Sequence, residues 1–262
     1  MDFSYLTYNT LFNNGFENIK KIIDFYRPDV LCFQEIDTRE DNLGKLYKYG
    51  YKLAGYENSF VRLGTIYGVA TFYKEGSLKH VPSLPVKKKN EVLRSLFYSI
   101  LSFLLGYNRQ KTFLSNNFIH LKTNKKITVC NTHLFVIGSN ALRIRHINYV
   151  LKSLNVDKKE KFIISGDFNY LPYQRKKLEN AMKKHRLKEA TKNVVQTIKF
   201  SKEDDISQTF TTFQKLSTRI VNIFFKALKI DYIFYKGLKL KKTERIEVRY
   251  SDHYPIISTF SI

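Results

Sequence analysis

Short apolar runs that stop abruptly on Asn, Gln-Glu, Asp or His are the feature that most limits what this chain can fold into. Residues 5–10 reach Asn9, and 30–34 run Val-Leu-Cys-Phe into Gln34-Glu35. Residues 127–133 run Ile-Thr-Val-Cys into Asn131-Thr132-His133, and 162–165 run Phe-Ile-Ile-Ser into Gly166-Asp167-Phe168-Asn169. Residues 67–73, 231–235 and 256–260 are of the same kind; Asp231 opens one of them, and Ser251-Asp252-His253 stands just before another. Their shortness and their β-branched and aromatic content read as buried strands. Helical spacing fills the gaps. Within 17–26, Ile19, Ile22, Ile23 and Tyr26 share one stripe, which Arg27-Pro28-Asp29 ends. Further helices are expected at 141–154 and 173–186. This mixture predicts an α/β protein with a two-sheet core covered by helices. With 262 residues, 43% of them hydrophobic, there is ample material for one large core. No internal repeat and no Gly/Ser or Pro linker divides the chain, so residues 1–262 read as a single domain.

Two stretches, near 90–110 and 214–229, read as apolar insertions into that plan. Residues 92–105 are nearly all apolar, and on a helix Ser95, Ser99, Ser102 and Gly106 would form one small-residue stripe. Residues 218–230 are amphipathic, with Arg219, Asn222, Lys226 and Lys229 on one face and Ile220, Val221, Phe224, Phe225 and Leu228 over much of the rest. Packing against protein is the ordinary use of such stripes, and a membrane interface is the alternative. Neither stretch reaches the roughly 18 apolar residues of a membrane span, and no basic segment followed by an apolar one opens the sequence. A cytoplasmic location is therefore expected, with peripheral membrane association as the alternative.

The net charge is +22, and all of the excess falls in residues 81–262; residues 1–80 carry 10 basic and 10 acidic side chains. Such a field attracts polyanions, either nucleic acid or an anionic membrane surface, although a lysine-rich solvated surface has the same composition. No feature calls for an obligate protein partner. The two cysteines, Cys32 and Cys130, exclude a disulfide framework and a cysteine zinc site and read as buried reduced thiols.

Strand ends along one sheet edge can gather side chains from distant positions. The types gathered here supply hard oxygen ligands and imidazoles, the equipment of phosphate chemistry assisted by magnesium or manganese rather than zinc. Taken singly, each motif has an ordinary reading. Glu35 would be a solvated loop residue, Gly-Asp-Phe-Asn a turn, Ser-Asp-His a cap, Asp231 a strand-edge charge and His133 a core histidine.

The ordered set Tyr8-Asn9, Gln34-Glu35, Asn131-Thr132-His133-Leu134, Gly166-Asp167-Phe168-Asn169, Asp231-Tyr232-Ile233 and Ser251-Asp252-His253 resembles the endonuclease/exonuclease/phosphatase superfamily over nearly the whole chain. The resemblance implies a DNase I-like four-layer α/β sandwich and a Mg2+ (or Mn2+) cofactor. It implies that Glu35, Asn9 and Asp252 serve the metal and that Asp167 activates the attacking water with Asn169 beside it. His253 would contact the phosphate, Asp231 would fix and charge that histidine, and His133 would bind phosphate or assist the leaving group. Arg143 and Arg145, on the helix after Asn-Thr-His-Leu, correspond to phosphate contacts in some relatives; a solvated helix face is the ordinary alternative. Tyr8-Asn9 departs from the Trp-Asn start of abasic-site endonucleases, and the form Asn131-Thr132-His133-Leu134 favours the DNase I, deadenylase and sphingomyelinase branches. The expected function is thus a phosphoesterase acting on nucleic acid. The alternatives are a membrane-associated lipid phosphodiesterase or phosphatase and a non-catalytic polyanion-binding module.

Overall fold

The computed structural model describes residues 1–82, 112–136, 138–198 and 228–262. In chain order its elements are β1 (Asp2–Asn9), α1 (Asn14–Glu17), α2 (Ile19–Tyr26), β2 (Val30–Asp37), α3 (Glu40–Leu43), β3 (Tyr51–Arg62), β4 (Thr65–Lys74), β5 (Leu78–Val81), β6 (Thr112–His120), β7 (Lys125–His133), α4 (Asn140–Ser153), β8 (Phe162–Asp167), α5 (Arg175–Lys184), β9 (Lys188–Glu189), β10 (Asp231–Lys236), β11 (Lys239–Arg245) and β12 (Ile256–Ser261). They build two six-stranded mixed sheets, ordered β11-β12-β1-β2-β4-β3 and β5-β6-β7-β8-β10-β9. Each has one parallel pair at its centre, β1 with β2 and β7 with β8, flanked by antiparallel neighbours.

Alternation along the strands divides the apolar residues among three layers. Phe3 and Tyr5, Val30 and Cys32, Ile127 and Val129, Ile163 and Ile233 meet between the sheets. The residues between them face outward. Leu6, Tyr8, Leu31 and Phe33 take the Ile19, Ile22 and Ile23 stripe of α2. Cys130, Phe162, Ile164, Tyr232 and Phe234 are covered by Ile147, Val150 and Leu151 of α4 and Leu178 and Met182 of α5. The result is the expected four-layer α/β sandwich. The helix α2 ends where Arg27 turns left-handed (φ 45°) and Pro28 follows, since a proline disfavours helical backbone in the residue before it.

Both cysteines are buried and free, as expected, and burial pushes the Cys32 thiol up to about 12. The apolar stretch 92–105 and residues 218–227 of the amphipathic one lie outside the described residues. Leu228 and Ile230, at the end of the second stretch, pack on Ile198, and Lys229 pairs with Glu189 at 2.7 Å. Among the described residues no helix is long and apolar enough to cross a membrane.

Candidate active site

At one end of the sandwich the space between the sheets changes from apolar to polar to ionisable. In the polar layer the Tyr5 hydroxyl lies 2.6 Å from Ser165 Oγ. Gln34 Nε2 donates to Asn131 Oδ1 at 2.7 Å and to Thr7 Oγ1 at 3.2 Å, tying one sheet to the other. Asn131 Nδ2 donates in turn to the carbonyls of Phe33 and Ala70. One step further along the same period of two lie Asn9, His133, Asp167 and Asp231. Strand register sets Asp231 opposite Asp167 and Asp167 opposite His133. Gly166 makes this close parallel pairing feasible: its φ is +130°, and a Cβ there would stand 1.9 Å from the Thr132 carbonyl oxygen.

Glu35 reaches the site by breaking the alternation. Regular pleating would place it after Leu31 and Phe33 on the helix-covered face. Instead β2 bulges against β4 between Gln34 and Ile36, Glu35 adopts φ +55°, and Ile36 enters the outer core in its place. Bulges of this kind re-aim a side chain, and a left-handed glutamate is a strained conformation of the sort held at functional sites. Glu35 is only 1% exposed, with Oε1 3.7 Å from His133 Nε2.

Asp167 is the hub. Its Oδ2 accepts from Asn9 Nδ2 and Asn169 Nδ2, both at 3.1 Å, and its Oδ1 accepts from the Asn169 backbone N–H at 2.8 Å. Asn169 also sits left-handed, at φ +47°, and donates to the Leu134 carbonyl. His133 Nε2 is 3.6 Å and His253 Nε2 3.9 Å from Asp167 Oδ2. His253 Nδ1 pairs with Asp231 Oδ2 at 2.8 Å, which turns Nε2 toward Asp167 and Asp252, whose Oδ1 is also 3.9 Å away. The Asn9 side-chain oxygen accepts from the Leu11 N–H.

Burial pushes the Asp167 carboxyl up to about 7, with Asp231 and Glu35 adding to the rise and the His253 cation and the Asn169 N–H opposing it. Burial works against charge on His253, yet Asp231, Asp252 and Asp167 outweigh it and raise the imidazole to about 10. Above its ordinary 6.5, a raised imidazole contributes stability that is complete below 6.5 and is lost as pH climbs through about 10. Replacing Asp231 with asparagine should therefore lower the His253 pKa and remove part of the decline in Tm over that window. Histidine NMR titration of both proteins in EDTA checks it; an unmoved His253 titration would refute the pairing.

Among the described residues, the carboxylates of Glu35, Asp167, Asp231 and Asp252 meet the imidazoles of His133 and His253 here, in a place largely shut off from water. The donor set of carboxylate and amide oxygens fits magnesium or manganese. Among the described residues no three of these side chains are already drawn around one point as a finished metal cage.

All eight residues expected at the catalytic and metal positions therefore lie at this one end of the sandwich. The two arginines do not join them in the expected way. Arg143 is 0% exposed, and its guanidinium donates to the carbonyls of Phe135, Val136 and Gly138 and to Asn140 Oδ1. Arg143 thereby ties Phe135, Val136 and Gly138 to α4. Arg145 is exposed on α4. Three residues to which the sequence reading gave no role, Thr197 and the motif members Ser251 and Gln34, also shape the site. Ser251 Oγ donates to the Asn9 carbonyl and accepts from the His253 N–H. Thr197 Oγ1 accepts from the N–H groups of Ile230 and Asp231. Gln34 supplies the cross-sheet tie already described.

An α/β sandwich with buried carboxylates and histidines at one end defines a class of phosphate-ester hydrolases. The sequence matches the Endonuclease/Exonuclease/phosphatase family over residues 6–253, and the chain belongs to that family. The human Nocturnin catalytic domain, solved with a bound sulfate anion, is 19% identical, covers 99% of this chain and 93% of its own, and superposes with a TM-score of 0.69. D. rerio TDP2, solved with a single-strand DNA product, is 13% identical, covers 100% and 99%, and gives 0.64. A mannosyl-6-phosphatase of Bacteroides thetaiotaomicron is 17% identical, covers 99% and 100%, and also gives 0.64. At these identities the likeness is one of fold. No curated protein sequence matches the chain.

Proposed function

We propose that the chain is a divalent-metal-dependent phosphodiesterase acting on nucleic acid, with water as the nucleophile. The observation that carries this reading is the setting of Asp167, a buried carboxylate fixed by three donors within 4 Å of two imidazoles. A base poised near neutrality is what abstraction of a proton from water requires. Asn9 and Asn169 hold its oxygens in place. His253, kept cationic by Asp231, opposes the negative charge that builds on the phosphate, and His133 is positioned to do the same or to protonate the leaving oxygen. Glu35 and Asp252, with the side-chain oxygen of Asn9, would hold the metal ion. When bound, that ion supplies neutralisation of charge on the phosphate oxygens. Arg145, exposed on α4, would meet a phosphate further along the bound strand.

The net charge of +22 and the single-strand DNA product bound to D. rerio TDP2 favour nucleic acid. One observation favours a lipid substrate as a second reading. The β3–β4 hairpin extends past Asp37, beyond the end of the strand that carries Glu35. Its two-residue turn puts Leu63 at φ +47° and 95% exposed, where such turns ordinarily take Asn, Asp or Gly. Val61 and Ile66 beside it are also exposed.

A single substrate panel tests both readings, run with magnesium and with EDTA on single- and double-stranded DNA, RNA, sphingomyelin, phosphatidylcholine and inositol phosphates. Magnesium-dependent cleavage of a nucleic acid is expected. EDTA and Glu35→Gln should each lower it at least about 100-fold. Cleavage of lipids alone would install the second reading, and full activity in EDTA would remove the metal from the scheme.

A further inference from the structure

The end of the second sheet opposite the active site holds lysines that the proposed reaction does not use. β7 runs nine residues from Lys125 at that end to His133, so at about 3.3 Å per residue the two ends are roughly 26 Å apart. There Lys125 and Lys126 from β7, and Lys158, Lys159 and Lys161 from the turn before β8, line one groove of about 670 Å3. The single carboxylate in its lining is Glu160, largely exposed and 3.9 Å from Lys161 Nζ. Many other surface lysines are paired, Lys20 with Asp24, Lys45 with Glu17 and Lys241 with Asp2. Lys125, Lys126, Lys158 and Lys159 form no ion pair with any described carboxylate.

Cations held close together without counter-charges repel one another, and an anion seated among them removes that cost. The shape narrows the choice of anion. A lipid bilayer is broad and meets a flat or convex basic face, whereas these amines line a cleft. A volume in the range of small-ligand clefts takes a few linked phosphates of one strand. We propose that this groove binds the phosphate backbone of a nucleic-acid strand, as an anchoring site separate from the active site. A strand held there is gripped roughly 26 Å from Asp167, so the groove retains nucleic acid without presenting a bond for cleavage. The proposal does not rest on the reaction assigned to the active site.

The test uses the full chain in EDTA, so that no metal-dependent cleavage interferes, and follows binding of a fluorescent 20-nucleotide oligothymidylate by anisotropy across a salt series. The groove variant K125A/K126A/K158A/K159A is compared with K20A/K45A/K241A/K242A, which loses the same charge elsewhere. The groove variant should lose affinity about tenfold or more. Its salt slope should fall by about 3, because each single-strand phosphate contact contributes about 0.7. The control variant should change by less than about threefold. Equal losses in the two variants would overturn the proposal in favour of bulk charge. Full oligonucleotide affinity in the groove variant, together with lost binding to phosphatidylglycerol vesicles, would overturn it in favour of a membrane. Thermal unfolding of the groove variant should match wild type, which excludes misfolding as the source of the loss. Because binding is read without metal, failure of the hydrolase assignment leaves this result intact, and the reverse also holds.

Discussion

Asp167→Asn is expected to cut kcat by about two to four orders of magnitude without lowering Tm. An asparagine has the same shape but cannot take a proton from water at neutral pH. The two halves of the expectation come from the same fact. The Asp167 carboxyl is buried, which lifts it to about 7 and places Glu35 and Asp231 where they disfavour its charge. Deleting that charge relieves a cost to the folded state while removing the base. The one Oδ of the asparagine still accepts the N–H of Asn169 that Oδ1 accepts now, while its Nδ2 meets the Asn9 and Asn169 amides that donate to Oδ2, a loss that the removed charge offsets. Steady-state kinetics on the best substrate of the panel, beside a melting curve, checks both halves. A variant within about threefold of wild type would strip Asp167 of its role. A large fall in both activity and Tm would recast it as a structural residue.

Gly166→Ala is expected to destabilise the protein by roughly 3–5 kcal/mol, near the upper end for single substitutions, or to prevent folding. The added methyl meets the Thr132 carbonyl oxygen at 1.9 Å and the Thr132 nitrogen at 3.1 Å, both backbone atoms of the neighbouring parallel strand, and φ +130° is strained for any residue with a Cβ. No rotamer relieves such a clash; β7 and β8 would have to separate, and they carry His133 and Asp167. Gly76→Ala is the control, since a Cβ there meets nothing within 4 Å, and it should stay within about 0.5 kcal/mol of wild type. Urea melts of the two variants measure the contrast. A Gly166→Ala protein of ordinary stability would show that this register is not what spaces the site.

What the sequence made legible follows from burial. β2, β7, β8 and β10 are hidden on both faces over their apolar lengths, so each is a compact apolar run whose terminating polar residue stands out. Those terminating residues became the site. β3 and β11 escaped notice because they are partly exposed: β11 reads Lys-Leu-Lys-Lys-Thr-Glu-Arg and none of its residues is fully buried. β6 is mostly buried, but Ser115-Asn116-Asn117 interrupts its apolar residues. The short β5 and β9 carry too few residues for any period to show. Ser251 and Thr197 act through hydrogen bonds to backbone groups far away in sequence, and a hydroxyl carries no mark of that use. The left-handed turn at Glu35 was equally silent, because no glycine announces it. The structural use of Arg143 was silent for a general reason. A basic residue on a polar helix is ordinarily solvated or turned to a ligand, but here the carbonyls of Phe135, Val136 and Gly138 take its guanidinium as their donor.

The pairing of β12 with β1, Asp2 against Ser261 through Thr7 against Ile256, makes completion of the pocket depend on strands far apart in the sequence. β12 lies inside the first sheet, between β11 and β1, and the segment just before it delivers Asp252 and His253. Glu35 and Asp167 are therefore joined by Asp252 and His253 only once β12 has paired with β1. Closing so long a loop late is slow in folding terms. It also leaves the pocket incomplete in any partly folded chain whose first sheet has not yet closed.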